Sequence, residues 1–100
     1  MKIRFYPESV EEFEVAASYY ESIYNKLSLD FISEVKAEIK RILENPTLLP
    51  IHKDDTRKIL LSKFPYYIVY LIDNNNDTVW IIAISHNKRL PEYWKQRIKR

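Results

Sequence analysis

The apolar positions of this chain change period several times, and each change marks an element. In KIRFY (residues 2–6) Ile3 and Phe5 alternate with polar neighbours, which predicts a short strand. Pro7 suits the first turn of a helix, and Glu8, Glu11 and Glu12 favour its positive N-terminal end. From there Val10, Phe13, Ala17, Tyr20 and Tyr24 recur at three- and four-residue steps, with Ala16 and Ile23 beside them. That spacing lays one apolar stripe along a helix of about four turns. YNKLS (24–28) interrupts it, with Asn25 suited to a left-handed backbone and Ser28 to capping the next helix. A second stripe follows through Phe31, Ile32, Val35, Ile39, Ile42 and Leu43, and Asn45-Pro46 stops it.

The second half has the shorter period of strands. RKILLSKF (57–64), YYIVYLI (66–72) and TVWIIAISH (78–86) are rich in β-branched and aromatic residues and are bounded by turn signals. DNNND joins the last two, and an Asn pair tolerates the positive φ of a hairpin turn. The order β-α-α-β-β-β predicts a single α+β domain over residues 1–100, a helical hairpin packed on an antiparallel sheet. Trp80 reads as core.

Composition narrows the function classes. The chain has no cysteine, which excludes disulfides and thiolate metal sites, and no glycine, which excludes a glycine-rich phosphate loop. His52 and His86 lie far apart and no His, Asp and Glu cluster has ligand spacing, so no metal and no cofactor are expected. No run approaches a membrane span and the N-terminus lacks an apolar leader, so a cytoplasmic protein is expected.

Charge adds an asymmetry. Residues 1–50 carry six Lys and Arg against nine acids, a balance of −3, while residues 51–100 carry ten against five, a balance of +5. The late excess is Lys88, Arg89, Lys95, Arg97, Lys99 and Arg100 against Glu92 alone, which suits an anionic partner as well as it suits ordinary surface charge. Metal-free cleavage of RNA requires a base, cations for the charge developing on phosphorus, and an acid for the leaving oxygen. His86 at a strand end, Arg89, Tyr93 and Arg57 are the residue types such chemistry needs. Each also has a plain structural reading: His86 as a surface residue or cap, Tyr93 and Trp94 as a hydrophobic plug, Arg57 as a partner of the acidic first helix.

Taken in order, ASYYE (17–21), ENP (44–46), Arg57, FPYYIVY (64–70), AISH (83–86) and RLPEYWKQR (89–97) resemble the RelE/ParE family of bacterial type II toxins. The resemblance spans residues 7 to 97 or so, and its most specific part is FPY-x-x-x-Y with H-x-x-R-x-P-x-Y-W-x-x-R. Where relatives have a glycine-leucine-glycine turn between the helices, this chain has KLSL (26–29). The resemblance implies a curved antiparallel sheet under a helical hairpin, and a growth-inhibiting toxin held in a hetero-oligomer by a cognate antitoxin. RelE-like members cut mRNA on the ribosome, and metal-independent cleavage of this kind is the activity expected first of this chain, with the other activities of the family as alternatives. That activity would assign Arg57, His86, Arg89 and Tyr93 to catalysis and Lys63, Lys88 and Arg97 to substrate binding. ParE-like members instead poison DNA gyrase without a nuclease site. A third alternative is a non-toxic binding protein of the same fold.

Overall fold

The computed structural model describes residues 1–98; Lys99 and Arg100, part of the basic C-terminal excess, lie outside the described residues. Strand β1 (Lys2–Phe5) leads into helices α1 (Pro7–Ile23) and α2 (Asn25–Glu44). Three strands follow, β2 (Thr56–Leu60), β3 (Tyr66–Asp73) and β4 (Thr78–His86), and a short helix α3 (Lys95–Ile98) is the last described element. The strands form one sheet in the order β1-β4-β3-β2. The predicted α+β fold is present, with the helical hairpin on one face of the sheet.

The helix stripes bury as their spacing requires, with one shift. On α2 Phe31, Val35 and Ile42 are buried, and Ile32, Ile39 and Leu43 pack beside them. On α1 the buried face runs through Ser9, Ala16 and Tyr20, while Val10 and the following Tyr24 stay exposed. At Tyr24 the reason is the link between the helices. A single extended residue, Tyr24 (φ −166°), reverses the chain, so the stripe stops contacting the sheet one turn early. Asn25 is not left-handed but opens α2. Ser28 lies inside that helix, buried, and its hydroxyl donates to the Ala17 carbonyl at 2.8 Å, tying the two helices together. Tyr20, Phe31, Phe64 and Tyr66 then meet at ring-centroid distances of 4.9 to 6.2 Å, mostly edge to face. Such pairs add about 0.5–1.5 kcal/mol each beyond their buried area.

Three features of the sheet depart from the sequence reading. First, β2, β3 and β4 form the expected antiparallel meander, but β1 pairs with β4 in parallel, Ile3 opposite Val79 and Phe5 opposite Ile81. Alternation in KIRF reports which face is buried and is the same for either strand direction. Second, β2 ends at Leu60, because residues 61–65 turn inward and bury Leu61 and Phe64. Third, the 73–77 connection places its left-handed residue at Asp77 (φ 50°) rather than at an asparagine. Asp54, Asp55 and Glu92 are the other positive-φ residues among those described, so acids take the role glycine would have.

The turn after β2 is held from α2. The Glu34 carboxylate accepts hydrogen bonds from the Ser62 amide and hydroxyl and from the Lys63 amide, the last at 3.1 Å. Partial burial alone would raise the Glu34 pKa, but these bonds outweigh it and hold it below the ordinary carboxylate value. A depressed folded pKa gives stability that is present above the unfolded pKa and is lost as pH falls through the folded one. Glu34→Ala should therefore cost about 1 kcal/mol at neutral pH, with the deficit shrinking below pH ~4. Denaturant unfolding of both proteins across that range checks it; a deficit independent of pH would show the turn is held otherwise.

Candidate functional site

A bulge in β4 decides which way the C-terminal half of that strand points. Tyr70 pairs with Ile81 whereas Val69 pairs with Ala83, so Ile82 is an extra residue with no opposite number. Before the bulge, Val79 and Ile81 face the helices; after it, Ile84 does, with Ile82 and Ala83 in the cluster on the other face. His86 consequently lies against Tyr66 on the helix side, ring centroids 5.0 Å apart.

β1 stops short of this segment. Its partnership with β4 ends at Phe5 and Ile81, and the Tyr6 amide donates to the Ile81 carbonyl at 3.0 Å as the chain leaves for α1. Side chains take over the open edge of β4. Glu12 of α1 accepts from the Ile84 amide at 3.0 Å, and Arg97 donates to the Ile82 carbonyl at 2.9 Å. The same two side chains form a two-pronged ion pair at 2.8 and 3.0 Å, with 12% and 13% of their side chains exposed. Arg89 adds a third donor to Glu12 at 3.2 Å, and the Tyr93 hydroxyl a fourth. Arg89 and Arg97 also flank the Tyr93 ring, their guanidinium carbons 3.6 and 5.1 Å from its centroid. Glu12 is thus the hub of the cluster, and the sequence reading credited it only with favouring a helix N-terminus.

Glu12 favours the protonated forms of Tyr93 and Arg97. Burial, reinforced by the hydrogen bond to Glu12, pushes the Tyr93 pKa up to about 12. Burial of Arg97 would lower its pKa, but the hydrogen bonds to Glu12 outweigh that and raise it. The His86 ring accepts at Nδ1 from the Lys88 amide at 3.0 Å, which leaves Nε2 to carry the proton of the neutral ring. His86, Arg89 and Arg97 share a cleft of about 360 Å³ with Glu8, Glu11 and Glu12.

The other nominated residues spread around this end or away from it. Lys63 and Lys88 are exposed; the Lys63 turn neighbours the strand end, where the Asn87 amide donates to the Pro65 carbonyl at 2.8 Å. Arg57 is elsewhere. It sits opposite Tyr70, four residues along β3 from the Tyr66–His86 pair, and donates to the Leu49 carbonyl at 3.0 Å. It pairs with neither the first helix nor the cluster.

On the opposite face of the sheet, residues 87–98 cross back as a strap. Trp94, fully buried, packs with Tyr67, Val69, Ile82 and Ala83, and Tyr93 and Ile98 lie over the same patch. Beside it a small hollow of about 110 Å³ brings His52, Lys58 and Arg89 together with Tyr67 and Asn87. Lys58 lies over the Tyr67 ring, 4.3 Å from its centroid, and Glu92 pairs with Lys53 at 3.3 Å and approaches His52 at 3.9 Å. Lys58 escaped the sequence reading, and His52 entered it only as a possible metal ligand. The signal for Lys58 was alternation with Arg57, which puts the two on opposite faces. Among the described residues no group of three or more His, Asp or Glu is placed to hold a metal, and no helix is long and apolar enough to cross a membrane.

Two helices packed on one face of a four-stranded sheet are the fold of the RelE and ParE toxins. The family model described as "ParE toxin of type II toxin-antitoxin system, parDE" matches residues 3–91, and the chain belongs to that family. Solved structures agree on the fold. The chromosomal ParDE toxin–antitoxin system from P. aeruginosa aligns with TM-score 0.72 at 11% identity, over 86% of this chain and 95% of that one. The isolated E. coli RelE toxin aligns with TM-score 0.62 at 18% identity, over 98% and 95%. The intact E. coli RelBE toxin–antitoxin complex gives TM-score 0.62 at 18% identity, over 88% and 98%. No curated protein sequence matches the chain.

Proposed function

We propose that this toxin inhibits growth by gripping a protein target, DNA gyrase, rather than by cutting mRNA, and that a cognate antitoxin silences it. The observation that carries this reading is the occupation of the cluster by Glu12. A ribonuclease site needs cations free to meet phosphate. Here Arg89 and Arg97 are already paired with a carboxylate, and Arg57 donates to the Leu49 carbonyl instead. A phosphate entering the cleft would also meet Glu8 and Glu11. The ParE family model supports the same side of the family.

An antitoxin has a surface suited to it. Phe5, Val10, Phe13, Val35, Ile39 and Ile84 line a groove of about 250 Å³, with Lys36 at its rim. Beside it β1 is an edge strand, so its outer backbone groups are open to pairing with an extended segment.

A second reading rests on the hollow around His52, Lys58 and Arg89, which gathers the residue types of RNA cleavage on the strap face. Expression of the toxin alone separates the two. Gyrase-linked double-strand breaks with intact mRNA are expected, and His86→Ala should inhibit growth as the parent does. New RNA 5′ ends inside translated codons, lost in Lys58→Ala or His86→Ala, would overturn the proposal.

A further inference from the structure

The solvent side of α1 carries an apolar row that the fold leaves uncovered. Val15, Tyr19 and Ile23 follow one another at four-residue steps, and each is more than half exposed. Glu11 heads the row, and Glu14 and Glu21 lie on the solvent face alongside, all exposed. None of these three acids makes an ion pair among the described residues, and α1 contains no Lys or Arg. The row continues to the mouth of the cleft, where Val15 is part of the lining. The groove beside β1 is reached from the other side of the helix, through Val10 and Phe13.

A contiguous aromatic and aliphatic row left uncovered on a surface helix and flanked by acids is a candidate binding surface. The acids beside it, without internal counter-ions, select the charge of what covers it. An amphipathic helix with apolar residues at three- and four-residue steps and Lys or Arg on its flank would meet the row and the acids together. We infer that the exposed face of α1 is the target-gripping surface of the toxin, and that it takes a cationic amphipathic helix of the target protein. This rests on the reading that the toxin grips a protein; the antitoxin is assigned to the groove at β1.

The test uses the full chain with two variants, Tyr19→Glu and Glu14→Lys. The second changes one exposed side chain, so it stays informative if the first fails to fold. Thermal melting and antitoxin binding report the fold. Binding to purified gyrase subunits at low and high salt, and growth inhibition at graded induction, report the surface. Tyr19→Glu should weaken gyrase binding by about tenfold or more. Glu14→Lys should weaken it severalfold and flatten its salt dependence. Both should bind antitoxin as the parent does and inhibit growth less. Parental gyrase binding and growth inhibition in both variants overturns the inference, and so does selective loss of antitoxin binding. If the parent itself does not bind gyrase, the gyrase reading fails separately. Growth inhibition then decides the surface: folded variants that no longer inhibit support it, and folded variants that inhibit fully overturn it.

Discussion

Glu12→Ala will destabilise the protein by about 3–5 kcal/mol, because it strips the enclosed, charged Arg97 of its two-pronged contact with the Glu12 carboxylate. The side chains of Glu12 and Arg97 are each little more than one-tenth exposed, and they share a two-pronged contact. Losing the carboxylate also orphans the Ile84 amide, at about 1–3 kcal/mol for a buried donor. The losses overlap, so they should not be summed. Glu12→Gln keeps one acceptor and loses the charge, and should fall between parent and alanine. The double change Glu12→Leu with Arg97→Met removes both charges and should recover much of the loss. Denaturant unfolding measures all of these. A Glu12→Ala deficit below about 1 kcal/mol would place the pair with ordinary surface ion pairs and sink the hub assignment.

The hub also reinterprets the charge asymmetry. An acidic first half and a basic second half suited an anionic partner, but the fold sets part of each against the other. Glu12 faces Arg89 and Arg97 across gaps of 77 and 85 residues. Arg57, the cation considered as a partner for the first helix, turned to a backbone carbonyl instead.

Both helices and the meander were legible because their signals are local. Apolar periods of 3.6 and 2 fix which residues face a core, and Asn45-Pro46 fixes where α2 stops. The ordered motifs from ASYYE to RLPEYWKQR carried the family. The parallel pairing of β1 was not legible, since four alternating residues carry no direction. Nor was the bulge at Ile82, because a run of β-branched residues buried on both faces hides a change of phase. That bulge turns His86 toward the helices and sets Ile84 against Glu12, so the site inherited what the strand pattern concealed. Glu12 itself was visible only as one of three early acids. What separates it from Glu8 and Glu11 is its register against β4, and that depends on how far β1 runs before the chain turns.

Trp94→Ala should be the other large loss, about 3–5 kcal/mol for removing a fully buried indole. The ring is the anchor of the strap: it fills the sheet face formed by Tyr67, Val69, Ile82 and Ala83. The indole N–H has no hydrogen-bond partner among the described residues, so the anchor acts through packing rather than through a polar contact. Trp94→Phe therefore forfeits volume but no hydrogen bond, and should cost clearly less than alanine. The strap is also tied at its other end, where Arg97 and Tyr93 reach Glu12. If the anchor and the ion cluster hold one unit, Trp94→Ala and Glu12→Ala will be non-additive, since either releases residues 93–98. Amide hydrogen exchange distinguishes a released strap from a weakened domain. Loss of protection confined to residues 90–98, with the global unfolding free energy unchanged, would show the strap to be an appendage. The buried position of Trp94 at the centre of the second core predicts that the sheet amides of β3 and β4 lose protection with it.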